Sequence, residues 1–329
     1  MINSKKYDVL SLGTSYLDIN FVDFPFVDGI SANRETVGSE YVIQPGGSAL
    51  NFARLSASLG MRVAFIGKVG VGQMGEILTR LMLEEGIDPF LVKDASVLTN
   101  LAVHYIRNDG TSIMTSGGSA NQNLSVNELM NDVETLIPQT KYLYLGGGFK
   151  MKHLLSHYKK FITLADKSST KIILDHGRVT NLVIPKEIDL IRSIVGSVDI
   201  YLPSKDELLS VWNSNNVVEA VRKIRKQSNA TIIVKDSDNG SYFSTPDLNL
   251  IYQVSAHSVD VINTVGAGDA FNAGLVNALV AKKNIEEVVK FATATSALKI
   301  SVDKKINLKI VNTFQKNNPK IQISELAST

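Results

Sequence analysis

Asn263-Thr264-Val265-Gly266-Ala267-Gly268-Asp269-Ala270-Phe271 carries more information than any other stretch of this chain. It follows an extended run, Ser258 to Ile262, and opens a helical pattern, Ala270 to Ala281. Glycines at a helix start let backbone come close to a ligand. The free amide N–H groups there, aligned with the helix dipole, favour an anion. A carboxylate in that first turn is placed to take a proton from a hydroxyl facing the anion. On these residues alone a second reading stands beside the first: a tight turn whose Asp269 only caps its helix.

Outward from this turn, short apolar runs alternate with amphipathic helical patterns. Val9–Leu12, Val63–Ile66, Tyr142–Leu145, Ile172–Leu174, Ile200–Leu202 and Ile232–Val234 read as strands. Between them, Ile77, Leu78, Leu81 and Met82 share a helix face, and a pattern from Leu154 to Ala165 reads as a further helix. Such alternation predicts an α/β fold with a mostly parallel sheet covered by helices on both faces. Two segments break the pattern. Asp18 to Gln44 holds no clear helix, and Leu101–Ile106 and Ser112–Thr115 flank the hairpin signal Asn108-Asp109-Gly110. A small β-sheet lid is expected from about 15–45 and 99–116, on a single domain spanning 1–329.

With its context, the late glycine turn resembles the signature of the ribokinase, or PfkB carbohydrate kinase, family, in which Asp-Thr-x-Gly-Ala-Gly-Asp precedes a helix. Other stretches agree in order. Gly13 to Asp18 resembles a strand-end motif whose Asp binds substrate hydroxyls. Pro45-Gly46-Gly47-Ser48-Ala49-Leu50-Asn51 is similar to the family's first signature, and Val234-Lys235 through Gly240 to the loop beside the nucleotide. The resemblance implies a ribokinase-like fold and an ATP-dependent kinase acting on an alcohol group of a small sugar. A nucleoside acceptor is the alternative within the family. It implies Asp269 as catalytic base, with Gly266, Ala267 and Gly268 presenting amides to the transferring phosphoryl group. It implies Asp18, Gly46, Gly47 and Asn51 for the acceptor, and Lys235, Ser237, Gly240 and Ser204 for ATP. Glu207 would hold Mg2+, through water.

This sequence departs from the pattern at four places. Ser204 replaces the Asn of Asn-x-x-Glu, and Asn263 replaces the first Asp of the late signature. Gly70-Val71-Gly72 lacks the acidic residue common there, and Ser237 stands where Gly is frequent. They motivate a non-catalytic sugar-binding relative as a rival reading. A second rival is an NAD-dependent oxidoreductase. Gly70-Val71-Gly72-Gln73-Met74-Gly75 matches Gly-x-Gly-x-x-Gly and has Asp94 about 20 residues on. Three residues, Gly67 to Val69, are expected between strand and first glycine, which is too many for that site.

Composition narrows the field further. The 329 residues carry a net charge of +2 and no cysteine. Disulfides and thiolate metal sites are excluded, and nothing calls for nucleic acid or a membrane surface. No apolar run reaches the ~20 residues that span a bilayer, so a cytoplasmic protein is expected. The basic stretch Lys299–Lys320 reads as a solvated tail. His153 and His157 stand four apart without the glutamate of a zinc-protease helix, and read as structural. Neither a Walker-type loop nor Gly-x-Ser-x-Gly occurs. Exposed lid edges need a partner, and a homodimer joined through the lids is expected.

Overall fold

Strand alternation explains the architecture of the computed structural model, which describes residues 5–24, 40–107, 112–302 and 304–329. Ten strands form the main sheet. They are β1 (Tyr7–Gly13), β4 (Val63–Gly70), β5 (Ile87–Asp94), β8 (Thr140–Gly146), β9 (Lys171–Asp175), β10 (Ile200–Tyr201), β11 (Thr231–Lys235), β12 (Ser241–Ser244), β13 (Leu250–Val254) and β14 (Ile323–Ser328). Their order is β14-β13-β12-β11-β10-β9-β8-β1-β4-β5. The seven strands from β11 to β5 run parallel, and β12 to β14 add an antiparallel edge. The six strands read from short apolar runs, Val9–Leu12 to Ile232–Val234, all lie in the parallel part.

Successive side chains point to opposite faces, so a strand buried on both sides feeds two cores. Leu10, Leu12, Leu143, Leu145, Ile172 and Leu174 face one core, which the helices Val126–Leu136, Tyr158–Lys167, Pro185–Val195 and Val217–Arg225 cover. Val9, Val63, Phe65, Tyr144 and Ile173 face the other, under Ser48–Ser58, Ala267–Val280 and Ile285–Ser301. This is the helix-covered, mostly parallel sheet that the alternation predicts.

A second sheet stands apart. It contains β2 (Tyr16–Val22), β3 (Glu40–Gly46), β6 (Leu101–Ile106) and β7 (Ser112–Gly117), in the order β3-β2-β6-β7. Its β2·β3 and β6·β7 pairs are antiparallel, and β2·β6 is parallel. Both irregular sequence segments contribute to it. The Asn108-Asp109-Gly110 turn lies outside the described residues.

Four local expectations are corrected. Ser258–Ile262 is not a strand; Ile262 N and Asn263 N instead donate to Ile300 O at the end of the helix Ile285–Ser301. The helix expected from Leu154 to Ala165 is broken into Lys152–Leu155 and Tyr158–Lys167, so His153 and His157 do not share one helix. His157 caps the second piece, with Nδ1 3.1 Å from His153 O. The basic Lys299–Lys320 stretch is no tail: it holds the helix Leu308–Asn317, anchored by buried Val311, and leads into the edge strand β14. Finally, β4 continues to Gly70, so no gap separates it from the first glycine of the 70–75 turn.

Candidate active site

The carboxyl ends of β1, β8, β9 and β11 converge beneath the helix Ala267–Val280. Open α/β sheets bind ligands at this edge. A cavity of about 980 Å³ lies there. Ser204, Glu207, Lys235, Ser237, Gly240, Ala267, Gly268 and Asp269 all line it. A second cavity, about 350 Å³, is lined by Asp18, Asn51 and Gly266. Asn51 links the two, because its side chain also hydrogen-bonds Asp269.

The glycine turn has the anticipated geometry with one difference. Gly266 adopts φ 80°, the left-handed region that other residues avoid, and caps the helix. Ala267 N is not free for a ligand: it donates to Thr264 O at 3.2 Å. Three consecutive free amides are therefore not present. The amides of Gly268 and Asp269 have no acceptor among the described residues, because the first turn of a helix has no preceding carbonyl for them. The pair of open amides, Gly268 and Asp269, extends one residue further along the chain than the expected set.

Asp269 lies in this turn, partly shielded from solvent. Burial and the negative charge of Asp175 push its carboxyl up to about 7, against the opposing pull of Lys235 and Asn51. A base with that affinity takes a proton near neutral pH and can release it again.

Sequence reasoning missed the polar floor of the site. Lys235 Nζ donates to Asp175 Oδ2 at 2.9 Å and to Asn272 Oδ1 at 3.2 Å. Asn272 Nδ2 donates to Asp175 Oδ2 at 2.6 Å and to the Tyr144 hydroxyl at 3.0 Å. Burial disfavours the Asp175 charge, but the Lys235 ammonium outweighs it and keeps the carboxyl below its ordinary value. Beside it, His176 Nε2 lies 2.8 Å from the Tyr201 hydroxyl and is fully buried. Burial holds this imidazole's proton affinity down. The available signal was position: Asp175 ends a strand at the ligand-binding edge. Lys235, read as a nucleotide contact, is first an ion-pair partner.

Asp18 is buried at the root of the second sheet, with His104 Nε2 3.6 Å from its Oδ2. Its carboxylate occupies the space where a side chain at Gly46 would stand, so only glycine fits there. Gly46 and Gly47 line neither cavity; Gly47 starts the helix that presents Asn51. Ser237 holds φ 47°, the conformation for which glycine is frequent at this place. Ser204 caps the helix Lys205–Trp212, its Oγ accepting from Glu207 N, while Glu207 Oε2 accepts from Ser204 N at 2.8 Å. One carboxylate oxygen of Glu207 is thus engaged. No group of three or more metal-ligating side chains occurs among the described residues.

The oxidoreductase reading fails on geometry. Asp94, the residue required for a ribose, accepts from Lys68 at 2.8 Å and from Ser96 N and Oγ. Phe21 and Phe24, at the second sheet, pack on Tyr105 with centroids 5.6 and 4.8 Å away. No helix of the described residues is long and apolar enough to cross a membrane.

Known proteins resemble this chain along most of its length. A ribokinase of Haemophilus influenzae is 27% identical over 274 residues, covering 82% of this chain and 84% of its own. A 5-dehydro-2-deoxygluconokinase of Clostridium beijerinckii is 26% identical over 310 residues, covering 91% and 88%. The structure of Arabidopsis thaliana ribokinase complexed with ribose and ATP superposes with a TM-score of 0.77 at 21% identity, covering 94% of this chain and 99% of that one. At that identity the likeness speaks for the fold. The model of the pfkB family of carbohydrate kinases matches residues 12–309, and the chain belongs to that family.

Proposed function

We propose that this kinase transfers the terminal phosphoryl group of ATP to an alcohol of a small sugar-like acceptor, with Asp269 as general base. The observation that carries this is the pairing of Asp269 with the open amides of its own helix turn. Phosphoryl transfer is mostly a matter of positioning and charge stabilisation. The Gly268 and Asp269 amides, at the positive end of a helix, face the charge that develops on the phosphoryl oxygens. Asn51 orients the Asp269 carboxylate. Asp18 accepts hydrogen bonds from acceptor hydroxyls, and Ser237 and Gly240 shape the nucleotide wall. Glu207 would hold Mg2+ through water, and the ion would neutralise phosphate charge when bound. The self-packed Phe21 and Phe24 favour a sugar over a nucleoside, since their faces are already covered.

Asp269→Asn keeps the size and the capping ability but removes the base. The expected loss in kcat is roughly 10²–10⁴, with ATP affinity retained. Near-normal kcat in an ADP-release assay would overturn the assignment.

The small sheet is read as a lid over the acceptor that also joins two copies. Tyr41, Val42, Ile43, Ile113 and Met114 are exposed on its outer strands, and exposed edges tend to be paired. Light scattering should give the mass of a dimer, and Ile43→Lys should shift it towards the monomer; a wild-type monomer at working concentration contradicts this.

A further inference from the structure

The larger cavity includes an apolar stretch between a helix and a loop. Thr293, Ser296, Ala297 and Ile300 recur at helical spacing on one face of the helix Ile285–Ser301 and line it. The loop contributes His257, Val259 and Val261. Ile262 N and Asn263 N donate to Ile300 O, which ties the end of the loop to the end of the helix. A chain of contacts leads from the open amides to this loop. Lys235 Cδ lies 4.0 Å from where a methyl group at Gly268 would stand. Asp236 N donates to Gly240 O at 2.8 Å. A methyl group at Gly240 would stand 2.8 Å from Ala256 N, and His257 is the next residue.

The hydroxyls on the helix side are spent. Thr293 Oγ1 donates to Val289 O at 2.9 Å, and Ser296 Oγ to Ala267 O at 2.9 Å. His257 differs: its Nε2 is shut off from solvent and has no hydrogen-bond partner among the described residues. Packing holds the ring, edge-on to Phe314 of the helix Leu308–Asn317 with centroids 5.1 Å apart. Burial holds the imidazole's proton affinity down, so the ring is neutral at physiological pH and carries one donor and one acceptor. A buried polar nitrogen without a partner costs stability, and its presence calls for a reason. The last torsion of a histidine side chain is broad, so the ring can turn this nitrogen towards a molecule in the cavity.

We propose that His257 reads the base of the phosphoryl donor, hydrogen-bonding the edge of the nucleobase while Val259, Val261, Ala297 and Ile300 cover its faces. This rests on the kinase reading above. A triphosphate lying on the Gly268 and Asp269 amides extends its base along the Gly240 loop, against Ala256 and His257. A flat ring with apolar faces and a polar edge suits such a stretch, and a polyhydroxy acceptor does not. Val261, an apolar side chain left 57% exposed, gains cover from the base. A polar group that one ligand pairs and another leaves unpaired discriminates between them. His257 is thus a specificity-determining residue for the donor, with no part in the transfer itself.

The test is His257→Phe, which keeps an aromatic ring against Phe314 and removes both nitrogens. Titration calorimetry should show the Kd for ATP raised about 2- to 12-fold, the worth of one neutral hydrogen bond. The ATP KM in ADP release should rise by the same factor, while kcat and the acceptor KM stay within about twofold. Inorganic triphosphate, which has no base, should bind both proteins equally. His257→Gln restores a donor and an acceptor and should recover part of the loss. Without nucleotide, the melting temperature of His257→Phe should stay level or rise, because an unpaired buried nitrogen is gone. A histidine kept only for the fold would lower it and leave the ATP Kd unchanged. An unchanged ATP Kd, or an equal loss for ATP and inorganic triphosphate, overturns the proposal and leaves the kinase reading standing. A wild type that binds ATP but releases no ADP with any acceptor sinks the kinase reading instead, and the Kd comparison still decides the role of His257. A wild type that binds no ATP removes both.

Discussion

Two glycine-rich turns in this molecule look alike on paper and differ in substance. Gly70–Gly75 and Gly266–Asp269 each open a helix, at Gln73 and Ala267. Each has a carboxylate assigned to it by pattern, Asp94 in one case and Asp269 in the other. In the first turn Gly70 and Gly75 are packing devices. A methyl group at Gly75 would run into Gly70 O, and one at Gly70 into Val97 O. In the second turn there is room. The nearest atoms to a methyl at Gly266 and Gly268 are Lys299 Cε at 3.6 Å and Lys235 Cδ at 4.0 Å. The carboxylates differ in the same way. Lys68, itself buried, grips Asp94 at 2.8 Å and Glu128 at 2.6 Å. Asp269 is left with a like charge, Asp175, among its strongest influences. A glycine turn becomes a site when the space it leaves is not filled by its own protein and its acid is not satisfied by its own lysine.

The largest expected effect comes from exchanging the two acids. Asp269→Asn should cost roughly 10²–10⁴ in kcat. Asp94→Asn should leave kcat within a few-fold and lower the stability of the fold, since it weakens the partnership of a buried ammonium. Urea unfolding and ADP release on both variants check this. A catalytic loss from Asp94→Asn with unchanged stability would collapse the distinction.

The fold was legible because it rests on period and punctuation. Runs such as Val9–Leu12 and Tyr142–Leu145 alternate with helical patterns, and each became a parallel strand. The antiparallel edge β12–β14 was not read: Ser241–Ser244 and Ile323–Ser328 lack a strong apolar run, and Leu250–Val254, which has one, is placed by pairing with them. In the site, Asp269 and its glycines were visible, since local sequence makes the turn. The floor was not. Asp175, Asn272, Tyr144 and Lys235 come from four elements up to 128 residues apart, and only the packed sheet brings them together. The amide engaged at Ala267 was hidden for a similar reason: a single turn hydrogen bond to Thr264 decides it.

A smaller effect separates the glycines themselves. Gly75→Ala forces its methyl against the Gly70 carbonyl and should destabilise by about 1–3 kcal/mol without altering kcat in the folded fraction. Gly268→Ala meets no such clash, and alanine suits a helix first turn, so the midpoint should stay level or rise by a few tenths to 1 kcal/mol. Its methyl group projects beside the open amides, and kcat should fall by about 10- to 100-fold. The same two measurements on each variant are enough. Equal stability losses at both positions would mean that the late turn is a packing device too.

The smallest effect, a difference in melting temperature, tests the late turn most directly, because the site reading and the capping reading predict opposite signs. A carboxylate that merely caps a helix N-terminus is stabilising when ionised. Its replacement by Asn would then lower the melting temperature most at high pH. Asp269 is held up at about 7 by burial and by Asp175, whereas an unfolded Asp titrates near ~3.9. Between those values the native state binds the proton and the unfolded state does not. Stability therefore falls as pH rises from about 4 to about 7, and the deficit is complete above the native value. Asn does not titrate, so Asp269→Asn should match the wild type near pH 4 and exceed it at pH 8. Partial exposure of the carboxylate screens the penalty, so about 1–2 kcal/mol is the reasonable scale. For a chain of this size that is about 1.5–3 °C. Scanning calorimetry of both proteins at pH 4, 6 and 8 reads the sign. A variant that is less stable at pH 8 than at pH 4, relative to wild type, would show an acid content to be charged in its turn, and Asp269 would belong with Asp94 as a structural carboxylate.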